Sequence, residues 1–279
     1  MTSVIRTVNP PAARPRATTP SGDCLPFHVR ARFRRPERPE LQLSLVAPVY
    51  DEAENLLRLH ARVLEVFGER TAWELVLVDD GSRDGSPDVI RRLAARDPRV
   101  VGAFFAHNCG QTAAIAAGIQ LARAPLVATL DADLQNDPAD LPAMLRVLAD
   151  EHLDAVVGYR TKRHDDFVRR ASSRIANAIR NRLSGDSIRD TGCSLKVFRT
   201  ESIQALPLFE GMHRFLPTLL RYHGFRVAEH PVSHYPRTAG NSKYGVWNRA
   251  FRALRDLFAV RWMKGRRIVL PLEEVTDAR

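Results

Sequence analysis

The sequence predicts an α/β fold in which a mostly parallel sheet is flanked by helices. Three observations carry this. Strand-like apolar runs alternate with helix-like periodic segments between Leu41 and Arg160, the links between them are short, and four of the strand-like runs end in polar residues. Alternation with short links implies right-handed crossovers, parallel strands and helices on both faces. In such sheets ligands bind beyond the carboxyl ends of the strands.

Each element follows from local pattern. LQLSLVAPVY reads as a strand ending at Pro48, and DEAENLLRLHARVLEVF places Leu56, Leu59, Val63 and Val66–Phe67 at helical spacing. WELVLVDDGSRDGS is a strand followed by an acidic, glycine-containing loop. PDVIRRLAARDP starts a helix at Pro87 and stops it before Pro98. RVVGAFFAHN is the third strand and GQTAAIAAGIQLARA an alanine-rich helix. PLVATLDAD is the fourth strand, DPADLPAMLRVLAD a helix with proline in its first turns, and LDAVVGYR the fifth strand. This order sets Tyr50–Asp51, Asp79–Asp80, Asn108 and Asp131–Asp133 along one rim.

Composition narrows the classes. The apolar fraction of 44% supports a real core and excludes a wholly disordered chain. The net charge of +10 suits an anionic partner such as a phosphorylated substrate, an anionic membrane surface or nucleic acid. Three cysteines, far apart, make neither a disulfide framework nor a zinc spacing, which fits a reducing compartment. No apolar window is long enough for a membrane span, and no signal peptide is visible, so a cytoplasmic location is expected. Residues 1–40, with seven prolines and eight arginines, read as a disordered basic arm. GxGxxG after the first strand and GxxxxGK[ST] are both missing, which disfavours dinucleotide and P-loop chemistry.

LDADLQNDP poses the chemical question. Carboxylates one residue apart after a buried strand can approach one ligand from a turn. Such hard oxygen donors suit Mg²⁺ or Mn²⁺, which commonly bridge protein carboxylates and substrate phosphates. Gln135 offers a further neutral oxygen. Loop and helix capping by Asp131 and Asp133 is the plainer alternative. Gly110–Gln111 either faces phosphate with its backbone N–H groups or simply opens a helix.

LVAPVYDEAENL, VLVDDGSRDGS, HNCGQTAAIAAGI and LDADLQNDP, in that order, resemble the successive motifs of family 2 glycosyltransferases with the GT-A fold. Within that family the likeness is to polyprenyl-phosphate glycosyltransferases, and it spans roughly residues 43–263. The resemblance implies a nucleotide-binding, Rossmann-like, mostly parallel sheet with a C-terminal amphipathic helix. It also implies inverting transfer of a sugar from a nucleotide-sugar (GDP-mannose or a UDP-sugar) to a polyprenyl phosphate. Pro48, Tyr50 and Glu52, then Val78 and Asp80, match donor-binding positions. Asp131 and Asp133 match the metal and diphosphate motif, with Ala132 against the nucleotide, Gln135 near the metal and Gln111 on the donor side.

The acceptor side rests on the same likeness. Residues 159–190 are basic, and Arg160, Arg169 and Ser173 match polar positions that hold the lipid phosphate. Guanidinium groups suit phosphate because they present paired donors. Asp190 heads DTGCSLKVFR, where it either orients the acceptor or caps a turn. DTG is not the Glu-Asp or Asp-Asp base motif of enzymes that use sugar hydroxyls. A phosphate acceptor is already ionised and needs positioning more than a base. Arg237, Ser242, Lys243 and Tyr244 match a segment that closes over the donor diphosphate. Trp247, Phe251, Leu254, Leu257–Phe258 and Trp262 then follow a helical period beside Arg249, Arg252 and Arg255, as an interfacial membrane helix or a core helix would.

The expected layout is an arm over 1–40, a glycosyltransferase domain over 41–240, a lid and amphipathic helix over 241–267, and a polar tail over 268–279. The expected location is the cytoplasmic face of the membrane, held peripherally. Two rivals remain: the same fold acting on a saccharide or another lipid, and a non-catalytic basic protein that binds nucleic acid or membrane. The acidic strand ends argue against nucleic acid, because carboxylates repel phosphate unless a metal intervenes.

Overall fold

Strand residues alternate between two apolar faces, and this alternation organises the computed structural model. It describes residues 35–161, 185, 187–207, 209–235 and 246–266, with backbone alone for 246–254. In β1 (Leu43–Val49) and β2 (Trp73–Asp79), Leu43, Leu45, Trp73, Leu75 and Leu77 face one cluster. Val46, Val76 and Val78 face the other. This is the period-2 pattern of a sheet buried on both sides.

The first cluster is closed by α1 (Ala53–Phe67), α2 (Ser86–Arg96) and α4 (Leu141–Asp150), through residues such as Leu56, Ile90 and Met144. The second is closed by α3 (Gln111–Leu121), α5 (Thr200–Gln204), α6 (Leu216–Tyr222) and α7 (Val246–Gly265). The close approach of α3 depends on Gly118, whose added Cβ would lie 2.2 Å from a Val46 methyl.

β3 (Val100–Phe104), β4 (Leu126–Thr129), β5 (Ala155–Arg160), β6 (Lys196–Arg199) and β7 (Val227–Val232) complete seven strands in the order β3-β2-β1-β4-β6-β5-β7. β3, β2, β1 and β4 are mutually parallel, as are β5 and β7. β6 runs antiparallel to both β4 and β5 and separates them. Neither β6 nor β7 was expected from periodicity. KVFR is too short to show a period and carries a charge at each end.

Arg35, ahead of β1, packs against the sheet. The Arg35 guanidinium donates to the buried Glu74 carboxylate at 2.8 Å and to Leu121 O. Glu74 also accepts from Ser44 and Arg123, so a buried carboxylate is fully engaged at the end of the sheet remote from the acidic rim. The C-terminal apolar stripe splits in space: Leu257 and Val260 are buried, whereas Phe258 and Trp262 are 56% and 65% exposed. Among the described residues no helix is long and apolar enough to cross a membrane.

Candidate active site

The carboxyl ends of β1, β2, β4 and β5, together with the start of β6, converge on one edge. Two loops there are stitched together. Asp51 N–H donates to Ser82 Oγ, Arg83 N–H to Asp51 Oδ1, and Glu52 N–H to Ser86 Oγ. Asp84 accepts from the N–H groups of Ala53 and Ser86, so one carboxylate serves the starts of both α1 and α2. Pro48, Tyr50 and Glu52 are partly exposed along this rim, with Glu52 Oε2 accepting from Asn55 Nδ2.

Asp80 is turned inward. Its carboxylate accepts from Cys109 N at 2.7 Å, Gly110 N at 3.0 Å and Asn108 Nδ2 at 3.0 Å. A carboxylate at the N-terminus of α3 is favoured by the helix dipole. It also occupies the Gly110 N–H, one of the two groups for which phosphate binding or simple helix opening had both been open. Burial raises the Asp80 carboxyl, and these backbone donors oppose that rise. Gly81 lets the two loops touch: its φ is +70°, and a Cβ there would lie 2.5 Å from His107 C.

The side chains of Val78 and Ala132, both expected on the donor side, are buried in the apolar clusters, Val78 under α3 and Ala132 on the opposite face. Any contact they make with a ligand would come from backbone.

Asp131 and Asp133 lie just beyond β4. Asp133 is 6% exposed and its Oδ1 accepts from Gln135 N, while Asp131 is partly exposed. Burial and the neighbouring Asp133 carboxylate push the Asp131 carboxyl up to about 6, against the opposing charge of Lys196. Gln111 Nε2 donates to Asp131 Oδ1 at 3.1 Å, so these two predicted site residues do meet. Leu134 has φ +57°, uncommon for a residue with a bulky side chain and a local strain at the turn that carries the two acids. The far end of that turn is held by a two-pronged ion pair between Arg62 and Asp137, 2.9 Å on each side.

Asp131, raised by burial and by the neighbouring Asp133 carboxylate, forms with Asp133 an oxygen donor set suited to a divalent cation. Among the described residues no group of three or more His, Cys, Asp or Glu side chains could hold a metal ion. The residues at this turn that could hold one are Asp131 and Asp133, with Gln135 as a neutral oxygen.

Arg160, at the end of β5, is gripped by Asp190 through Nε at 2.7 Å and a terminal nitrogen at 3.0 Å. Asp190 also accepts from the backbone N–H groups of Arg160 and Gly192. With both oxygens engaged, its visible role is to orient the guanidinium. Arg169, Ser173, Arg237 and Lys243 lie outside the described residues. The chain leading to the last two does pass the acidic turn: Tyr235 N–H donates to Gln135 O, and Asn136 Nδ2 to Ser233 O.

Sequence reasoning missed Lys196, Asn136, and the pair formed by Thr112 Oγ1 and His213 Nδ1 at 2.7 Å.

Residues 44–206 match the model of the family described as glycosyl transferase family 2. The chain belongs to the family 2 glycosyltransferases. This glycosyltransferase is 41% identical over 227 residues to the dodecaprenyl-phosphate galacturonate synthase of Rhizobium johnstonii, covering 79% of this chain and 66% of that one. It is 39% identical over 208 residues to the undecaprenyl-phosphate 4-deoxy-4-formamido-L-arabinose transferase of Edwardsiella ictaluri, covering 73% and 63%. The chain thus spans just under two thirds of the length of these relatives.

Solved structures show the same GT-A fold. A glucosyl-3-phosphoglycerate synthase from Mycobacterium tuberculosis, in complex with Mg²⁺ and uridine diphosphate, aligns with TM-score 0.61 at 14% identity. The alignment covers 85% of this chain and 80% of that one. The mannosyltransferase PcManGT from Pyrobaculum calidifontis, in complex with GDP-Man and Mn²⁺, aligns with TM-score 0.56 at 21% identity, covering 87% and 71%.

Proposed function

We propose that this glycosyltransferase moves one sugar from a nucleotide-sugar to a polyprenyl phosphate, with inversion at the anomeric carbon. The observation that carries the reading is one rim bearing an acid pair, Asp131 and Asp133, next to a pre-oriented guanidinium, Arg160. The acids suit a cation-bound diphosphate, and the guanidinium suits a second phosphate. The names of the two relatives, which place their sugars on polyprenyl phosphates, agree with that acceptor.

Asp131, Asp133 and Gln135 would hold Mg²⁺ or Mn²⁺, which supplies charge neutralisation on the departing diphosphate. Arg160, fixed by Asp190, positions the acceptor phosphate, with Arg169 and Ser173 completing that seat. The phosphate oxygen forms a bond to the anomeric carbon on the face opposite the leaving group. The bond from that carbon to the nucleoside diphosphate breaks. Because the acceptor is already ionised, no side chain has to remove a proton, and the full occupancy of Asp190 by hydrogen bonds is compatible with this. Arg237 and Lys243 would stabilise the leaving diphosphate. The exposed Phe258 and Trp262, beside Arg255, Arg261 and Arg266, rest on the cytoplasmic membrane surface where such an acceptor is found.

The test is transfer from a panel of UDP- and GDP-sugars to undecaprenyl phosphate in detergent, with undecaprenol and an oligosaccharide as alternative acceptors. Product with the lipid phosphate alone supports the reading. Product with the oligosaccharide and none with the lipid phosphate overturns it.

A further inference from the structure

Lys196 opens β6, opposite Thr129 of β4 and Val157 of β5. β4 runs on from Thr129 to Asp131, and β5 runs on from Val157 to Arg160. Because β6 is antiparallel, its first residue lies at the same edge as those strand ends. Lys196 is nonetheless 5% exposed. Its ammonium donates to Cys193 O, the carboxylates of Asp131 and Asp190 oppose its charge, and Arg160 adds to it. A buried ammonium is unfavourable, and burial correspondingly lowers its proton affinity. β6 continues into the buried apolar residues Val197 and Phe198, a setting in which an unbranched apolar side chain is the ordinary occupant.

We infer that the Lys196 ammonium is a fixed counter-charge to Asp131 at the strand end that carries the acid pair, which weakens the site for a bare divalent cation and leaves the metal to be taken up together with the nucleotide's diphosphate. The inference rests on the metal role proposed above for Asp131 and Asp133. Without the ammonium, two carboxylates and a dication balance one another. With it, the dication meets a like charge in a low-dielectric setting, and balance requires a further anion, which the diphosphate brings. Lys196 thus sets the order in which the site fills and does not itself touch the reacting atoms.

The test is calorimetric titration with MnCl₂ at pH 7.5, with and without UDP or GDP, on the wild type, Lys196→Met and Lys196→Arg, with thermal unfolding as the fold control. Lys196→Met should bind Mn²⁺ without nucleotide about ten-fold more tightly than the wild type, while Lys196→Arg should stay within about three-fold of it. General damage to the site would move affinity the other way. Unchanged or weaker Mn²⁺ binding in folded Lys196→Met overturns the inference, as does an equal gain in Lys196→Arg. Failure of both Lys196→Met and Lys196→Gln to fold also overturns it, because the ammonium would then be a requirement of the fold. If the wild type shows metal-dependent nucleotide binding while Lys196→Met is unshifted, only this inference fails. If the wild type binds neither nucleotide with metal, the proposed donor site fails with it.

Discussion

Asp190 clasps Arg160 through both carboxylate oxygens, 2.7 Å to Nε and 3.0 Å to a terminal guanidinium nitrogen. The pair joins the end of β5 to the segment entering β6, and it holds a cation at the rim in one orientation. Asp190→Asn keeps the shape and removes the charge. Charge-assisted hydrogen bonds contribute about 1.5–3 kcal/mol, so KM for the lipid phosphate should rise roughly ten- to hundred-fold. Nucleotide affinity should stay near that of the wild type. Arg160→Lys should not restore acceptor binding, because an ammonium cannot make the two-pronged contact. Steady-state kinetics with acceptor and donor varied separately checks the split.

The Asp131 carboxyl is pushed up to about 6 by burial and by Asp133. An acid raised in the folded chain ionises later there than in the unfolded chain. Folding is therefore penalised progressively as pH rises from the ordinary carboxylate range to about 6, and a bound cation relieves that penalty. Mn²⁺-dependent nucleotide binding should strengthen between about pH 5 and 7 and level off above. In Asp131→Asn it should be weak, and this pH dependence should be lost. Binding titrations across that range decide the matter, and an unchanged profile in the variant would reassign the titrating group.

Asp80 is a structural acid by its contacts, binding Cys109 N, Gly110 N and Asn108 Nδ2. Asp80→Ala would leave buried donors without partners and should lower stability by about 2–4 kcal/mol, read as a drop in thermal midpoint. A variant of wild-type stability that has lost nucleotide binding would instead make Asp80 a ligand contact.

The two faces of α7 should behave differently. Leu257 is buried in the second core cluster, so Leu257→Ala should cost about 2–4 kcal/mol of stability. Phe258→Ser with Trp262→Ser alters exposed rings and should leave the thermal midpoint unchanged. That double variant should bind anionic phospholipid vesicles roughly ten-fold more weakly in a sedimentation assay. Equal vesicle binding by wild type and variant would remove α7 from the proposed membrane contact.

The parallel part of the sheet was legible because its strands are long apolar runs separated by amphipathic helices. The acid pair was legible because Asp131 and Asp133 directly follow one such run. β6 was not legible, because four residues including a lysine carry no period, and the strand is recognisable only once β4 and β5 flank it. Residue roles were harder to read than positions. Asp80 and Asp131 both follow apolar strands, yet Asp80 folds back onto the start of α3 and Asp131 stays at the rim. That distinction depends on the Asn108–Gly110 loop, which comes from a distant part of the chain. Asp190 likewise read as orienting the acceptor or capping a turn, and its grip on Arg160, thirty residues away, shows only in the fold.

The most direct measurement is calorimetric titration of the folded protein with UDP and with GDP, each with and without Mn²⁺, alongside Asp133→Ala. One nucleotide should bind only when Mn²⁺ is present, and Asp133→Ala should lose that binding while keeping the wild-type thermal midpoint. Metal-independent binding, binding undiminished in Asp133→Ala, or no binding of either nucleotide would contradict the assignment of this strand end as the donor site.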